Sequence, residues 1–287
     1  MFDSKGNTNR RSFVGISAAL GGWLLAGRAA RAVGAPAANE TLRTIHALHT
    51  THGDFSERQV SEADLDAILD ASVRAANASN NQSYAIVVSR DADKVKKITT
   101  YGAGCMLLYC TDYTRLIDTA HHMGYSYYAD TAEHFVTAST NAILAAQTAV
   151  IAARSLGVDA LTTNGIHRGD MGRLWEILDL PRQSCFPLIA VVLGYARTAP
   201  AVKRGRLERL GVVYREKYRR LSKEELDELV RAYDDPGRHL GLVEDWNKQG
   251  FKHYLDWYYK VWAGSSAPAS SEGQILKVLR LTGYLKG

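Results

Sequence analysis

Cysteine is scarce in this 287-residue chain: Cys105, Cys110 and Cys185 are the only three, and none stands in a C-x-x-C spacing. Cys105 and Cys110 lie five apart on one apolar run, so on a strand they point to opposite faces. That argues against a disulfide between them and makes buried structural thiols the better reading. Clustered Cys and His are also lacking, which leaves no zinc site to propose. His121 and His122 are adjacent, and neighbours point apart on helix or strand, so they do not chelate one ion. A charge excess is lacking too. Residues 1–32 hold Lys5, Arg10, Arg11, Arg28 and Arg31 against Asp3, leaving thirty basic and twenty-nine acidic residues beyond them. The formal +5 is therefore mostly the N-terminus, and no nucleic-acid footprint survives its removal. No internal repeat is visible.

What is present begins at that N-terminus. Asn9-Arg10-Arg11-Ser12-Phe13-Val14-Gly15 leads into an apolar run to Leu25 and then Ala30-Arg31-Ala32. A charged start, a short apolar run and an A-x-A site describe an export signal over residues 1–32. The Arg pair followed by x-Phe resembles the twin-arginine signal, whose translocase carries proteins already folded. This implies an exported, periplasmic protein, or a membrane-anchored one if the signal stays uncleaved. Folded export suits a chain that acquires a cofactor before leaving the cytoplasm.

The remaining chain alternates between helical and extended patterns. Ser61-Glu62-Ala63-Asp64 opens a helix in the manner of a capping box, with Leu65, Ile68, Leu69, Ser72 and Val73 at helical spacing. Apolar runs at 84–89, 105–109, 158–161 and 188–193 read as strands. Residues 132–156 form the longest helical stretch, Ala-rich and apolar on nearly every face. Such a helix is buried on all sides, in the middle of the fold, at a subunit interface, or both. Beyond Ala199 the character changes. Ser222-Lys223-Glu224-Glu225 is a full capping box, residues 246–262 are dense in aromatics, 264–273 read as a linker and 274–281 as a last helix. The aromatic block reads as packing surface or as the lining of a substrate pocket. Alternating strands and helices argue for an α/β or α+β sheet with helices on its faces.

Residues 75–84, Ala75-Ala76-Asn77-Ala78-Ser79-Asn80-Asn81-Gln82-Ser83-Tyr84, join a helix to a buried strand. Asn and Ser compete for backbone hydrogen bonds and mark a loop. Their amides and hydroxyls offer donors and acceptors together, a surface suited to a planar polar heterocycle such as a flavin.

The loop and strand resemble the A-P-S-x-x-N-x-Q-P-W segment of the FMN-dependent nitroreductase family. Ala75, Asn80 and Gln82 match, whereas Ala76, Ser83 and Tyr84 replace the family's Pro, Pro and Trp. The Ala-rich helix ending in Ser155-Leu156-Gly157, the strand from Pro187 to Gly194-Tyr195 and the basic Arg204-Gly205-Arg206 resemble later family features in the same order. The resemblance covers residues 40–210. It implies an α+β sandwich with a central mixed sheet, helices on both sides and a long buried core helix. A flavin domain would span 40–200, with a C-terminal helical, aromatic-rich extension at 201–287. The family implies a homodimer with FMN between the subunits and hydride transfer through flavin N5.

On that resemblance Asn80 and Gln82 bind the ring edge or ribityl chain, Asn164-Gly165 presents a backbone N–H to N5, and Arg204 with Arg206 neutralises the phosphate. The latter two read on their own as a solvated surface pair. The chain departs from the family at R-S-x-R-x-F. Here Leu48-His49-Thr50-Thr51-His52-Gly53-Asp54-Phe55 keeps the Phe but neither Arg. Thr50 or Thr51 replaces the Ser hydroxyl, His49 or His52 supplies a weaker charge, and Arg43 lies within reach upstream. The activity implied is two-electron reduction of an electron-poor small molecule, a nitroaromatic or a quinone, with the electron donor open. Dehalogenation, flavin breakdown and non-enzymatic flavin binding stand as alternatives.

Overall fold

The computed structural model describes residues 39–264 and 273–285. The expected export signal lies outside the described residues.

Helix α1 (Glu40–Ala47) is capped by Asn39, whose side chain accepts from the N–H groups of Thr41 and Leu42. Helix α2 (Glu62–Val73) is capped by Ser61, whose hydroxyl accepts from Asp64 N–H at 3.0 Å. Strand β1 (Tyr84–Ser89), helix α3 (Ala92–Thr99) and strand β2 (Cys105–Asp112) follow. Then come α4 (Thr114–His122), α5 (Ala132–Ser155), β3 (Asp159–Thr163), α6 (Gly172–Leu178) and β4 (Cys185–Gly194).

The four strands form one sheet in the order β1-β2-β4-β3. The family resemblance implied a mixed sheet, but every pairing among the described strands is antiparallel. The connections explain this. The chain leaves and re-enters the same end of the sheet through the short α3, whereas α5 carries it back along the whole sheet, about 36 Å for its 24 residues. Strand β3 therefore starts at the far end and runs against β4.

Alternation along β2 gives the sheet two apolar faces. Cys105, Leu107 and Tyr109 pack with α2, α5, Val191 and Leu193, while Met106, Leu108 and Cys110 face α3, α6, Ala190 and Val192. Cys105 and Cys110 do lie on opposite faces, and all three thiols are free and buried. Helix α5 lays Ala138, Asn141, Ala142, Ala145, Ala146, Ala149 and Ala153 inward. Its opposite side is not covered by the single chain: Val136, Ile143 and Leu144 are 62%, 47% and 40% exposed. Among the described helices it is the one long and apolar enough to cross a membrane by length and composition, but its alanine stripe is packed on the sheet.

In the C-terminal part, α7 (Lys223–Asp234) has the full capping box read from its sequence. Arg219 clamps Glu225 with two 2.6 Å bonds and holds its carboxyl down at about 2. Helix α8 (Tyr254–Trp257) buries Tyr254 and Trp257, and the next turn leaves Tyr259 and Trp262 exposed. Packing thus accounts for part of the aromatic block. An open groove of about 490 Å³ lined by Tyr233, Tyr258 and Trp262 remains beside it. Helix α9 (Gln274–Leu281) returns to the sheet, where Tyr284 accepts from the Thr111 hydroxyl at 3.1 Å and donates to Ser184 O at 2.8 Å. Burial pushes the Tyr284 phenol far above its ordinary range.

Candidate functional site

The loop between α2 and β1 is held in an unusual shape. Ser79, Asn80 and Gln82 have φ of 51°, 52° and 49°, the left-handed region that non-glycine residues enter at a cost of about 1–3 kcal/mol. Local side chains hold the turn from within. Asn77 Oδ1 accepts from Gln82 N–H at 2.7 Å, Asn81 Oδ1 accepts from Ser83 N–H at 3.2 Å, and Gln82 Nε2 donates to Asn80 O at 3.3 Å. Two more side chains hold it from outside. Arg115 on α4 donates to the carbonyls of Gln82 at 2.6 Å and Asn81 at 3.3 Å. The fully buried Asn141 on α5 accepts from Ala78 N–H at 2.9 Å and donates to Asn81 Oδ1 at 3.1 Å and Ser83 Oγ at 3.0 Å. Asn80 and Gln82 remain exposed at the tip.

A second group follows β3. Asn164 is exposed, and Gly165 N–H donates to Thr163 Oγ1 at 2.9 Å, so a ligand taking this N–H must displace that hydroxyl. His167 Nε2–H donates to Pro187 O at 2.9 Å, and burial lowers the imidazole below its ordinary 6.5. Arg173 gathers the turn by donating to the carbonyls of Ile166 at 3.2 Å, Arg168 at 3.0 Å and Asp170.

The third group sits at the other end of β3. His49 is not free: its ring lies between Ala47 O at 3.2 Å and the Asp159 carboxylate at 3.4 Å, which Arg154 and Ala196 N–H also engage. Thr50 is exposed. Thr51 is buried, its N–H donates to Ala160 O at 3.2 Å, and its hydroxyl has no partner. A buried hydroxyl left unmatched costs about 1–3 kcal/mol, and of the two threonines Thr51 is the one that carries it. Arg43 pairs with Glu40.

Among the late basic residues, Arg204 forms an ion pair with Glu244 and donates to Leu242 O at 3.0 Å. Its charge is therefore already matched. Arg206 makes no ion pair among the described residues, and its guanidinium rests on the carbonyls of Gly205 at 2.7 Å and Arg204 at 3.3 Å. Gly205 is explained by close approach, since a Cβ there would meet Arg238 O at 2.0 Å.

The sheet register relates these groups. Tyr84 pairs with Thr111, and Thr111 with Phe186, so the loop stands at the end of the sheet that His167 also reaches through Pro187. Tyr84 is nevertheless on the opposite edge from β3, three strand spacings or about 14 Å away. Thr51 and Gly165 mark the two ends of edge strand β3, five residues or about 16 Å apart along the chain direction. The single chain thus brings His49 and Thr51 to one end of β3 and Asn164–Gly165 to the other, and it anchors Asn80 and Gln82 across the sheet. The sequence reading missed Asn141, Arg115 and Arg173. Asn141 had a weak signal, as one of two amides, with Gln147, in an alanine-rich stretch. The two arginines had none.

The model of the nitroreductase family matches residues 49–195, just over half of the chain. The chain belongs to the nitroreductase family. It is 27% identical over 208 residues to a Bacillus subtilis (strain 168) protein named FMN reductase [NAD(P)H], covering 69% of this chain and 81% of that one. It is 25% identical over 195 residues to a Pseudomonas sp. (strain G-1) protein named CR(VI) reductase, covering 65% and 78%. Among solved structures, NfrA2 of B. megaterium superposes with a TM-score of 0.72 at 23% identity, covering 86% of this chain and 98% of that one. Nitroreductase A of Vibrio parahaemolyticus RIMD 2210633 gives 0.69 at 22%, covering 87% and 100%. These structural likenesses are likenesses of fold.

Proposed function

We propose that this chain is a flavin-dependent oxidoreductase that holds FMN and passes two electrons to an electron-poor small molecule such as a nitroaromatic or a quinone. Family membership supports the chemistry, and relatives named as FMN reductases support the cofactor. The observation that carries the site is the loop of residues 77–83, where strained left-handed residues are pinned from two sides yet present Asn80 and Gln82 to solvent. Strain maintained by surrounding structure is characteristic of ligand-holding segments.

The residues present fit the group. The unmatched Thr51 hydroxyl and the Arg206 guanidinium are suited to the phosphate, with Arg204 contributing less because Glu244 already neutralises it. The amides of Asn80 and Gln82 are suited to the ring edge or ribityl hydroxyls, and Gly165 N–H to the ring once Thr163 releases it. Bound FMN supplies hydride chemistry at N5, and the protein contributes binding, orientation and electrostatics.

A homodimer is part of the same reading. Val136, Ile143 and Leu144 leave an apolar strip on α5, and the expected flavin contacts are divided between opposite edges of the sheet. A second copy placed on that strip offers a way to unite them. Export by the twin-arginine route rests on Arg10, Arg11 and the apolar run that follows. An exported enzyme is separated from cytoplasmic nicotinamides, which favours a quinol or a redox partner as donor.

The deciding experiment is the visible spectrum of the purified mature chain. The expected result is a yellow protein that bleaches with dithionite and regains colour when a nitroaromatic or quinone is added. A colourless protein that takes up no added FMN overturns the proposal.

A further inference from the structure

We infer that Asn141 is a positioning residue for the cofactor loop: it touches no ligand itself, but its amide sets the conformation in which Asn80 and Gln82 are presented. The inference rests on the FMN reading and assigns a role to a residue on the core helix, outside every motif of the sequence.

Asn141 is fully buried on α5, with Ala138, Ala142 and Ala145 as its inward neighbours. A polar amide in such a stripe is costly unless every group on it is bonded, and here Oδ1 and both N–H bonds of Nδ2 are engaged. The direction of the network is fixed by groups that can only donate. Ala78 N–H dictates that Oδ1 of Asn141 faces it, which turns Nδ2 toward Asn81 and Ser83. Ser83 N–H likewise dictates the orientation of the Asn81 amide, so Asn81 Oδ1 must accept from both. Neither amide can flip without breaking a bond to the backbone.

These contacts fall on Ala78, Asn81 and Ser83, interleaved with the left-handed residues Ser79, Asn80 and Gln82. The strained positions are thus fastened before, between and after, from one buried side chain. Arg115 closes the loop from the solvent side. An aspartate at 141 would keep the acceptor for Ala78 but lose both donors, and Asn81 Oδ1, still committed to Ser83 N–H, would then face a carboxylate. A leucine would fill the space and satisfy none of the three groups.

The test compares Asn141→Ala, Asn141→Asp and Asn141→Leu with Ala149→Gly, a helix-weakening change about 12 Å along α5 from Asn141. FMN dissociation constants and amide hydrogen exchange of residues 77–83 are measured on each full chain, with thermal unfolding to match stability. The expected result is FMN affinity at least tenfold weaker in all three Asn141 variants, faster exchange in residues 77–83, and affinity within twofold of the parent in Ala149→Gly. Loss of affinity in Ala149→Gly equal to that of the Asn141 variants at matched stability would reduce Asn141 to a general structural role and overturn the inference. So would unchanged exchange in the loop. If the parent itself binds no FMN, the functional reading fails separately, and loop exchange in the cofactor-free chains still decides the positioning role.

Discussion

At the scale of single residues, the proposed phosphate site is tested most directly at Thr51. Its hydroxyl is buried with no partner, whereas His49, a candidate replacement charge, is committed to Asp159. Thr51→Val removes an unsatisfied polar atom while keeping the side chain's shape. Folding stability is expected to be unchanged or slightly higher. Flavin retention should move the opposite way, because a hydrogen bond to a charged group contributes about 1.5–3 kcal/mol, roughly ten- to a hundredfold in affinity. Equal affinity in equilibrium titrations of parent and variant would remove Thr51 from the phosphate site. The threonine was legible in the sequence as one of a pair. Which of the two mattered was not, because that depends on Thr51 N–H joining the edge of β3 at Ala160 and turning its side chain inward.

At the scale of elements, capping patterns and apolar runs located α2, α5, α7, α9 and the four strands because those signals are local, whereas the short α1, α3, α4 and α8 carried no reading. Ser61 and Ser222 cap their helices through bonds to residues three positions on, and the apolar runs at 84–89 and 188–193 mark strands by composition alone, although their ladder bonds reach strands tens of residues away. The direction of pairing is not local, and a sheet expected as mixed is antiparallel throughout its described strands. Arg204-Gly205-Arg206 shows the same limit. Its charges were readable, but Glu244 reaches Arg204 from forty residues away. Gly205 lies so close to Arg238 that Gly205→Ala should prise this segment from residues 238–240. A loss of about 1–3 kcal/mol is expected, the range for overpacking, and it should appear as earlier proteolysis within the C-terminal part. Unaltered protease resistance and melting temperature would mean that the two segments do not depend on this contact.

At the scale of the whole molecule, the outer strip of α5 is where the proposed dimer is tested. The sequence showed a helix apolar on nearly every face, and the single chain buries only one side of it. Ile143→Glu changes an exposed residue and should leave the isolated fold intact, since surface substitutions usually fall within about 0.5 kcal/mol. It is expected to convert a dimer to a monomer in light scattering and to release FMN at the same time. A dimer of undiminished affinity would place the interface elsewhere. The division of the site was not legible from sequence, because motif order says nothing of which edge of the sheet each motif reaches.

Helix α5 also works as a ruler. Asn141, toward the middle of the helix, fixes the loop at the edge of β1, while Arg154, thirteen residues on at its C-terminal end, grips Asp159 and through it the surroundings of His49. The two grips are about 20 Å apart along a helix whose alanines press its backbone onto the sheet. With so little side chain to absorb a shift, a displacement of the helix along its axis is carried to both grips at once. The two halves of the candidate site are therefore kept in step by one rigid rod, even though neither touches the other.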